Sequence, residues 1–184
     1  MTFFIFMILL ICKTCECYSI RKSIILNRKS ESALQKNWLI VKDADYKGRG
    51  LFCDVLQICK GTYIGEYVGE VLTLKDYRKR YQQGESIYTF IISDEEKTQR
   101  RELMYLDAHD VYKSNITRYI NHDSIKPNLK YVITRKYHKG KLQKANVKFY
   151  SIQDIFYGEE LLFDYGPKYD LDYGAKYAID ISKR

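Results

Sequence analysis

The sequence predicts a mainly β chain with short helices. Three observations carry that prediction. Tyr is abundant at 18 residues and Pro rare at 2, a balance that suits strands, which favour aromatic and β-branched side chains and have little place for proline. Apolar runs are short and bounded by Gly or polar turns, rather than spread along a long helical face. Finally, strands and helices do not alternate, and no G-x-G-x-x-G opens a helix after a first strand, which disfavours a doubly wound nucleotide-binding fold. At 184 residues the prior is one domain, and 46% hydrophobic content is enough to fill its core.

The elements follow in order. Residues 1–11 form one apolar run, too short to span a bilayer, which takes about 20 residues. It reads as a signal-peptide core, a buried strand, or an artefact of the assigned start; no basic residue precedes it and no clear cleavage site follows. Residues 18–36 are polar and basic, with Asn27, Arg28 and Gln35 distinctive. Residues 38–41 read as a strand, 42–47 as a polar connector, and Gly48-Arg49-Gly50 as a bend where the backbone can approach a ligand. A second strand resumes at 51–53, Lys60-Gly61 turns the chain, and 63–71 alternates in character. Residues 74–83 have helical spacing, ended by Gly84. Residues 88–92 and 104–108 read as strands around a charged loop or short helix at 95–102. Strands at 129–135 and 146–152 are joined by an exposed basic loop at 138–144, and 154–158 is a turn before the last apolar run.

Charge and cysteines narrow the function classes. The formal net charge of +8 points to an acidic partner, nucleic acid above all, or to a solvated basic surface. The clusters at 75–80 and 126–148 carry most of this reading. Cys12, Cys15, Cys17, Cys53 and Cys59 all lie in the N-terminal third, which suits reduced thiols better than a disulfide framework. The first three have metal-ligand spacing but no fourth ligand nearby, so zinc there would need a second chain.

Two stretches mix apolar residues with polar groups that a plain core does not need. In Arg118-Tyr119-Ile120-Asn121-His122-Asp123, the adjacent Asn and His read as a turn offering both to a ligand. In Gly158-Glu159-Glu160-Leu161-Leu162-Phe163-Asp164-Tyr165-Gly166, an apolar run ends in a Tyr where the chain must turn, exposing a phenol.

With these come Lys47-Gly48-Arg49-Gly50-Leu51-Phe52, then Gly61-Thr62-Tyr63-Ile64-Gly65-Glu66-Tyr67-Val68-Gly69-Glu70, Tyr88-Thr89-Phe90, Leu106-Asp107-Ala108 and Pro127-Asn128. In this order, across residues 38–166, the set resembles the SET-domain protein lysine methyltransferases. The lead-in with Asn27, Arg28 and Gln35 also resembles the segment before the SET domain in histone H3-directed members. The resemblance implies the SET-domain fold: several small curved sheets, with the C-terminal segment threaded through a loop as a pseudoknot that brings Asn121-His122 beside Tyr165. It divides the chain into a degenerate lead-in at 1–37, the SET domain at 38–166 and a tail at 167–184.

The resemblance also implies roles. S-adenosyl-L-methionine, the methyl donor, would contact Lys47, Gly48 and Arg49 largely through backbone groups. Tyr88, Arg118 and Tyr119 would line its pocket, and Asn121 and His122 would hydrogen-bond it. Tyr165 would be the catalytic tyrosine and Tyr67 would face it across the lysine channel, which Phe163 also lines. Phe163 stands where relatives have Tyr or Phe; Phe leaves more room and implies di- or trimethylation. The partner would be a protein lysine, a histone tail or nucleosome above all, received by Asp94-Glu95-Glu96, with nonspecific DNA contact through the basic clusters. That places the chain in the nucleus, although the apolar N-terminus keeps secretion open. No membrane span is expected, and the oligomeric state is not legible.

The chain also departs from the family. The usual N-H-S-C-x-P-N reads Asn121-His122-Asp123-Ser124-Ile125-Lys126-Pro127-Asn128, one residue longer and without Cys, and residues 167–184 hold no Cys. Losing both halves of the post-SET zinc site together implies that no zinc is bound in the SET or post-SET region. Tyr169, Tyr173 and Tyr177 recur at helical spacing and could close the channel instead. Two other readings remain: a non-catalytic SET-like binding or scaffold module, and a secreted effector acting on another cell's chromatin.

Overall fold

The computed structural model describes residues 31–82, 86, 88–93 and 103–166. All of these lie in one compact unit, Glu31–Arg184. The expectations on residues 1–30, on Gly84, on the 95–102 loop with Asp94-Glu95-Glu96, and on Tyr169, Tyr173 and Tyr177 fall outside the described residues.

In chain order the described strands are β1 (Leu39–Asp43), β2 (Arg49–Cys53), β3 (Gln57–Ile58), β4 (Tyr63–Tyr67), β5 (Glu70–Thr73) and β6 (Thr89–Ile91). Then come β7 (Met104–Asp107), β8 (Asn121–His122), β9 (Leu129–His138), β10 (Lys141–Ser151), β11 (Ile155–Phe156) and β12 (Leu162–Phe163). A helix, α1 (Leu74–Arg80), follows β5 and starts at Thr73, whose hydroxyl accepts the Asp76 N–H. The strands form small sheets in the orders β1-β2, β4-β10-β9-β12-β8, β11-β3 and β5-β7-β6.

The core sits where these sheets meet. Phe149, Leu51, Ile58, Ile64, Ile92, Ile120, Ile155, Leu161 and Val147 are fully buried, each contributing about 2 kcal/mol of transfer free energy. They come from every sheet except the one containing β5, β6 and β7, whose buried Leu72 and Leu106 close that side.

β1 and β2 pair antiparallel from Leu39↔Cys53 to Asp43↔Arg49. A single 3-10 turn, Asp45–Lys47, joins them and ends at Gly48, whose φ of 76° lies in the left-handed region that glycine tolerates best. Gly50 is required for a different reason: a Cβ there would lie 2.5 Å from Glu160 Oε1 and 2.8 Å from Ala44 Cβ. The Gly-Arg-Gly bend is therefore half backbone conformation and half close approach.

β12 lies between β8 and β9 and runs parallel to both, with Phe163 in register with His122 on one side and Leu129 on the other. Residues 123–128 connect those two neighbours, so the C-terminal segment passes inside the loop they close. This is the expected pseudoknot. Asn128 clamps it: its N–H donates to Leu162 O, its Oδ1 accepts the Leu162 N–H, and its amide donates to Glu160 O at 2.7 Å.

Two expectations are corrected. Asn121-His122 is not a turn but the short strand β8, because β12 supplies a parallel partner that no local pattern reveals. The 138–144 loop is also absent: β9 and β10 continue to a tight turn at Lys139-Gly140, whose φ values of 48° and 75° suit a two-residue hairpin turn.

Candidate functional site

Placement of the site begins with β12. It ends at Phe163, and two residues later the Tyr165 N–H donates to His122 Nδ1 at 3.0 Å. The imidazole therefore accepts through Nδ1. The Tyr165 hydroxyl donates to Ile120 O at 2.8 Å, so the phenol is half-buried rather than exposed at a strand end. Its ring packs on Phe163, with centroids 4.5 Å apart.

Phe163 belongs to a row of rings. It stacks nearly parallel on Phe90 at 5.6 Å, and Phe90 meets the edge of Tyr67 at 4.8 Å. Tyr67, 5% exposed, donates its hydroxyl to Tyr88 O at 2.9 Å. Burial pushes its phenol well above the usual value, so it stays a protonated donor at neutral pH. The row is apolar along its length and carries a phenol at each end.

From Tyr88 the contacts continue to the cationic side. The Arg118 guanidinium lies 4.1 Å from the Tyr88 ring centroid and donates to His109 O at 2.8 Å. It comes from a 3-10 turn, Ile116–Tyr119, held by Asn115, whose Oδ1 accepts the Thr117 N–H. Arg118 Nε is buried and has no hydrogen-bond partner among the described residues. Arg49 Nη1 donates to the Tyr119 hydroxyl at 3.3 Å, and this bond draws the Tyr119 phenol below its ordinary value.

The loop closes through Asn121. Its amide donates to Arg49 O at 3.1 Å and to Glu160 Oε1 at 2.7 Å. Lys47 Nζ donates to His122 O at 3.3 Å and lies 3.7 Å from Glu160 Oε2. Lys47, Arg49, Tyr67, Tyr88, Arg118, Tyr119, Asn121, His122, Phe163 and Tyr165 thus form one connected set, with Gly48 between two of its members.

Two residues escaped the sequence reading. Glu160 ties Lys47 to Asn121 and leans on Gly50; in the sequence it is only the second of two adjacent acids before an apolar run. Asp107, with a fully buried side chain, receives Arg80 Nη1 at 3.0 Å, the Tyr81 hydroxyl at 2.6 Å and the His109 N–H at 3.0 Å. It braces the segment whose carbonyl holds Arg118. The longer Asn-His loop is absorbed locally: Asp123 Oδ1 accepts the N–H groups of Ile125 and Lys126 at 2.8 and 2.7 Å. Those backbone donors, Lys126 first, hold its carboxyl below the ordinary range.

Across the chain, the SET domain family matches residues 48–166. The chain belongs to the SET-domain family. The chain is 32% identical over 144 residues to histone-lysine N-methyltransferase SETMAR of Rattus norvegicus, covering 78% of this chain and 44% of the relative. It is 31% identical over 147 residues to SUVR3 of Arabidopsis thaliana, another protein named histone-lysine N-methyltransferase, covering 76% and 40%. The chain therefore spans less than half the length of these curated relatives. Among solved structures, polycomb repressive complex 2 of Chaetomium thermophilum superimposes with a TM-score of 0.55 at 28% identity, covering 73% of this chain and 16% of that one. A second, ctPRC2 in an autoinhibited conformation bound to S-adenosylmethionine, gives 0.55 at 25% identity over 82% and 18%. The matched SET region starts at Gly48 and ends at Gly166, so it takes in both polar stretches. Among the described residues no three His, Cys, Asp or Glu side chains group as a metal site, and no helix is long and apolar enough to cross a membrane.

Proposed function

We propose that this SET domain methylates the side-chain amine of a protein lysine, with a histone tail as substrate and S-adenosyl-L-methionine as donor. The observation that carries the reading is the convergence of Tyr165 on His122 and Ile120, at the end of a contact path that starts at Lys47. The names of the curated relatives and the S-adenosylmethionine-bound neighbour support it. A histone substrate implies a nuclear site of action.

The residues suit the donor. Lys47, Arg49 and Arg118 supply cations for its carboxylate, and Arg118 Nε offers a buried donor that no described residue uses. Tyr88 and Tyr119 offer ring faces and Gly48 an uncrowded backbone, with Asn121 and His122 beside them. When bound, S-adenosyl-L-methionine supplies a sulfonium methyl group open to direct displacement.

The chain's own contribution is positioning and desolvation. Tyr165 donates its proton to Ile120 O, which leaves oxygen lone pairs to face the positive charge of a transferring methyl. Tyr67, Phe90 and Phe163 present a wall of rings, and lysine enclosed by such a wall loses its proton more readily than in water, where its pKa is about 10.4. Tyr67 remains protonated and anchored on Tyr88 O, so it shapes the wall opposite Tyr165 without acting as a base. Phe163 adds no hydroxyl to hold a water, which leaves space for a second and third methyl.

The test is to incubate the chain with labelled donor and nucleosomes and locate the label by mass spectrometry. Label on a histone lysine supports the proposal. Calorimetric absence of donor binding, with the chain folded, overturns it in favour of a scaffold.

A further inference from the structure

The β9–β10 hairpin extends beyond its pairing with the rest of the sheet. β4 pairs with β10 only over Val147–Tyr150, and β12 meets β9 only at Leu129. Beyond Thr134 and Asn146 the two strands pair with no third strand among the described residues. Between Asp123 and Asp154 the sequence holds no Asp or Glu, while Lys recurs throughout.

Register sorts these residues into two faces. On one face Tyr131, Ile133, Val147 and Phe149 point to the core; Tyr131 meets the edge of Phe163, and Arg135 donates Nε to Ile92 O. The other face carries Lys130, Lys136, His138, Lys141, Lys144 and Lys148. All but Lys148 are exposed. Among the described residues Lys130, Lys136, Lys141 and Lys144 form no ion pair. Glu66, opposite Lys148, has its carboxylate taken by the Asn146 amide.

This arrangement costs stability. Lys136 and Lys144 are direct cross-strand partners, and like charges so placed repel. At the tip, Lys139 adopts a φ of 48°, where Asn or Gly fits better. Cations are kept at positions where the fold alone would reject them, which calls for a polyanion.

We propose that this lysine face of the β9–β10 ribbon is a docking surface for double-stranded DNA, bound through its phosphates without regard to sequence. The dimensions agree. Lys130 to His138 covers about 27 Å at roughly 3.4 Å per residue, a length over which duplex DNA presents about sixteen phosphates. A two-stranded ribbon also enters the major groove of B-form DNA, whereas the deep, narrow major groove of A-form RNA does not admit it. Because the opposite face carries the Phe163 site, DNA and a methyl-accepting lysine do not compete. The surface stands independently of catalysis.

The test measures fluorescence anisotropy of a labelled, random-sequence DNA duplex with the full chain across a salt series. Simultaneous Lys136→Gln, Lys141→Gln and Lys144→Gln is expected to weaken binding at least tenfold at moderate salt. It should also lower the slope of log K against log salt by about 2.7, at about 0.9 for each phosphate that is no longer neutralised. The control removes equal charge from exposed positions of α1: Lys75→Gln, Arg78→Gln and Lys79→Gln. Lys144→Glu separates folding from binding, since it faces Lys136 as an opposite charge and is expected to raise the melting temperature while weakening DNA binding. An unchanged salt slope in the ribbon variant, an equal loss in the helix control, or equal affinity for an RNA duplex would each overturn the proposal.

Discussion

The Tyr165 N–H donates to His122 Nδ1 at 3.0 Å, while the Tyr165 hydroxyl points to Ile120 O at 2.8 Å. Backbone and side chain of the candidate catalytic tyrosine are thus held separately, both by β8 and the residue before it. Removing the hydroxyl leaves the backbone anchor and the packing on Phe163 in place. Tyr165→Phe is expected to stay folded, losing roughly 1 kcal/mol for one hydrogen bond. Methyl transfer should fall about 100-fold or more. Thermal melting and labelled-donor assays check the two halves.

Glu160 joins Lys47 and Asn121 across the pseudoknot. Glu160→Ala frees both and is expected to weaken donor binding about tenfold, as the loss of a charged hydrogen bond of roughly 1.5 kcal/mol implies. Calorimetry reads this directly, and wild-type affinity in the variant would remove Glu160 from the site.

Phe163 is 4% exposed and packed among Phe90, Phe149, Tyr131 and Tyr165. Phe163→Tyr puts a hydroxyl into that cluster, which costs roughly 1–3 kcal/mol if unpaired. Its expected signature is a product shift from di- and trimethyl to monomethyl lysine. Mass spectra of a methylated peptide dominated by monomethyl product already in the unaltered protein would contradict the role given to Phe163.

Asp107 is the buried centre of a network with Arg80, Tyr81 and the His109 backbone. Asp107→Asn keeps the shape but turns one acceptor oxygen into a donor and removes the charge, at an expected cost of about 1–3 kcal/mol. A lower urea midpoint with an unchanged slope is the predicted result.

The carboxyl of Asp123 is held below its ordinary range by the Lys126 and Ile125 N–H groups. A folded-state value below the unfolded one adds stability above the unfolded value, and that stability is lost as pH falls through the folded value. Asp123→Ala is therefore expected to cost roughly 1 kcal/mol at neutral pH. The difference from the unaltered protein should shrink as the pH drops below the carboxylate range. Urea titrations at neutral and acidic pH test the sign.

Much of this was legible beforehand because it depends on short-range rules. Gly48 announces a bend, the alternating character of 63–71 announces strand, and the helical spacing of 74–83 announces α1. The ten expected site residues other than Gly48 do form one connected set. Glu160 was missed because the second of two adjacent acids before an apolar run looks the same whether it faces water or the Asn121 amide and the Lys47 ammonium. Asp107 was read only as part of a motif, since nothing local reveals that Arg80 and Tyr81 return to it.

Local propensity, turn chemistry and apolar patterning determined the strands, the helix and the identity of the polar residues, since each acts over a few neighbours. Tertiary structure alone decided that β12 slides between β8 and β9. Parallel pairing joins segments about forty residues apart in sequence, whose satisfied backbone groups no local window can foresee. That pairing turned an expected Asn-His turn into a strand and set Tyr165 against His122.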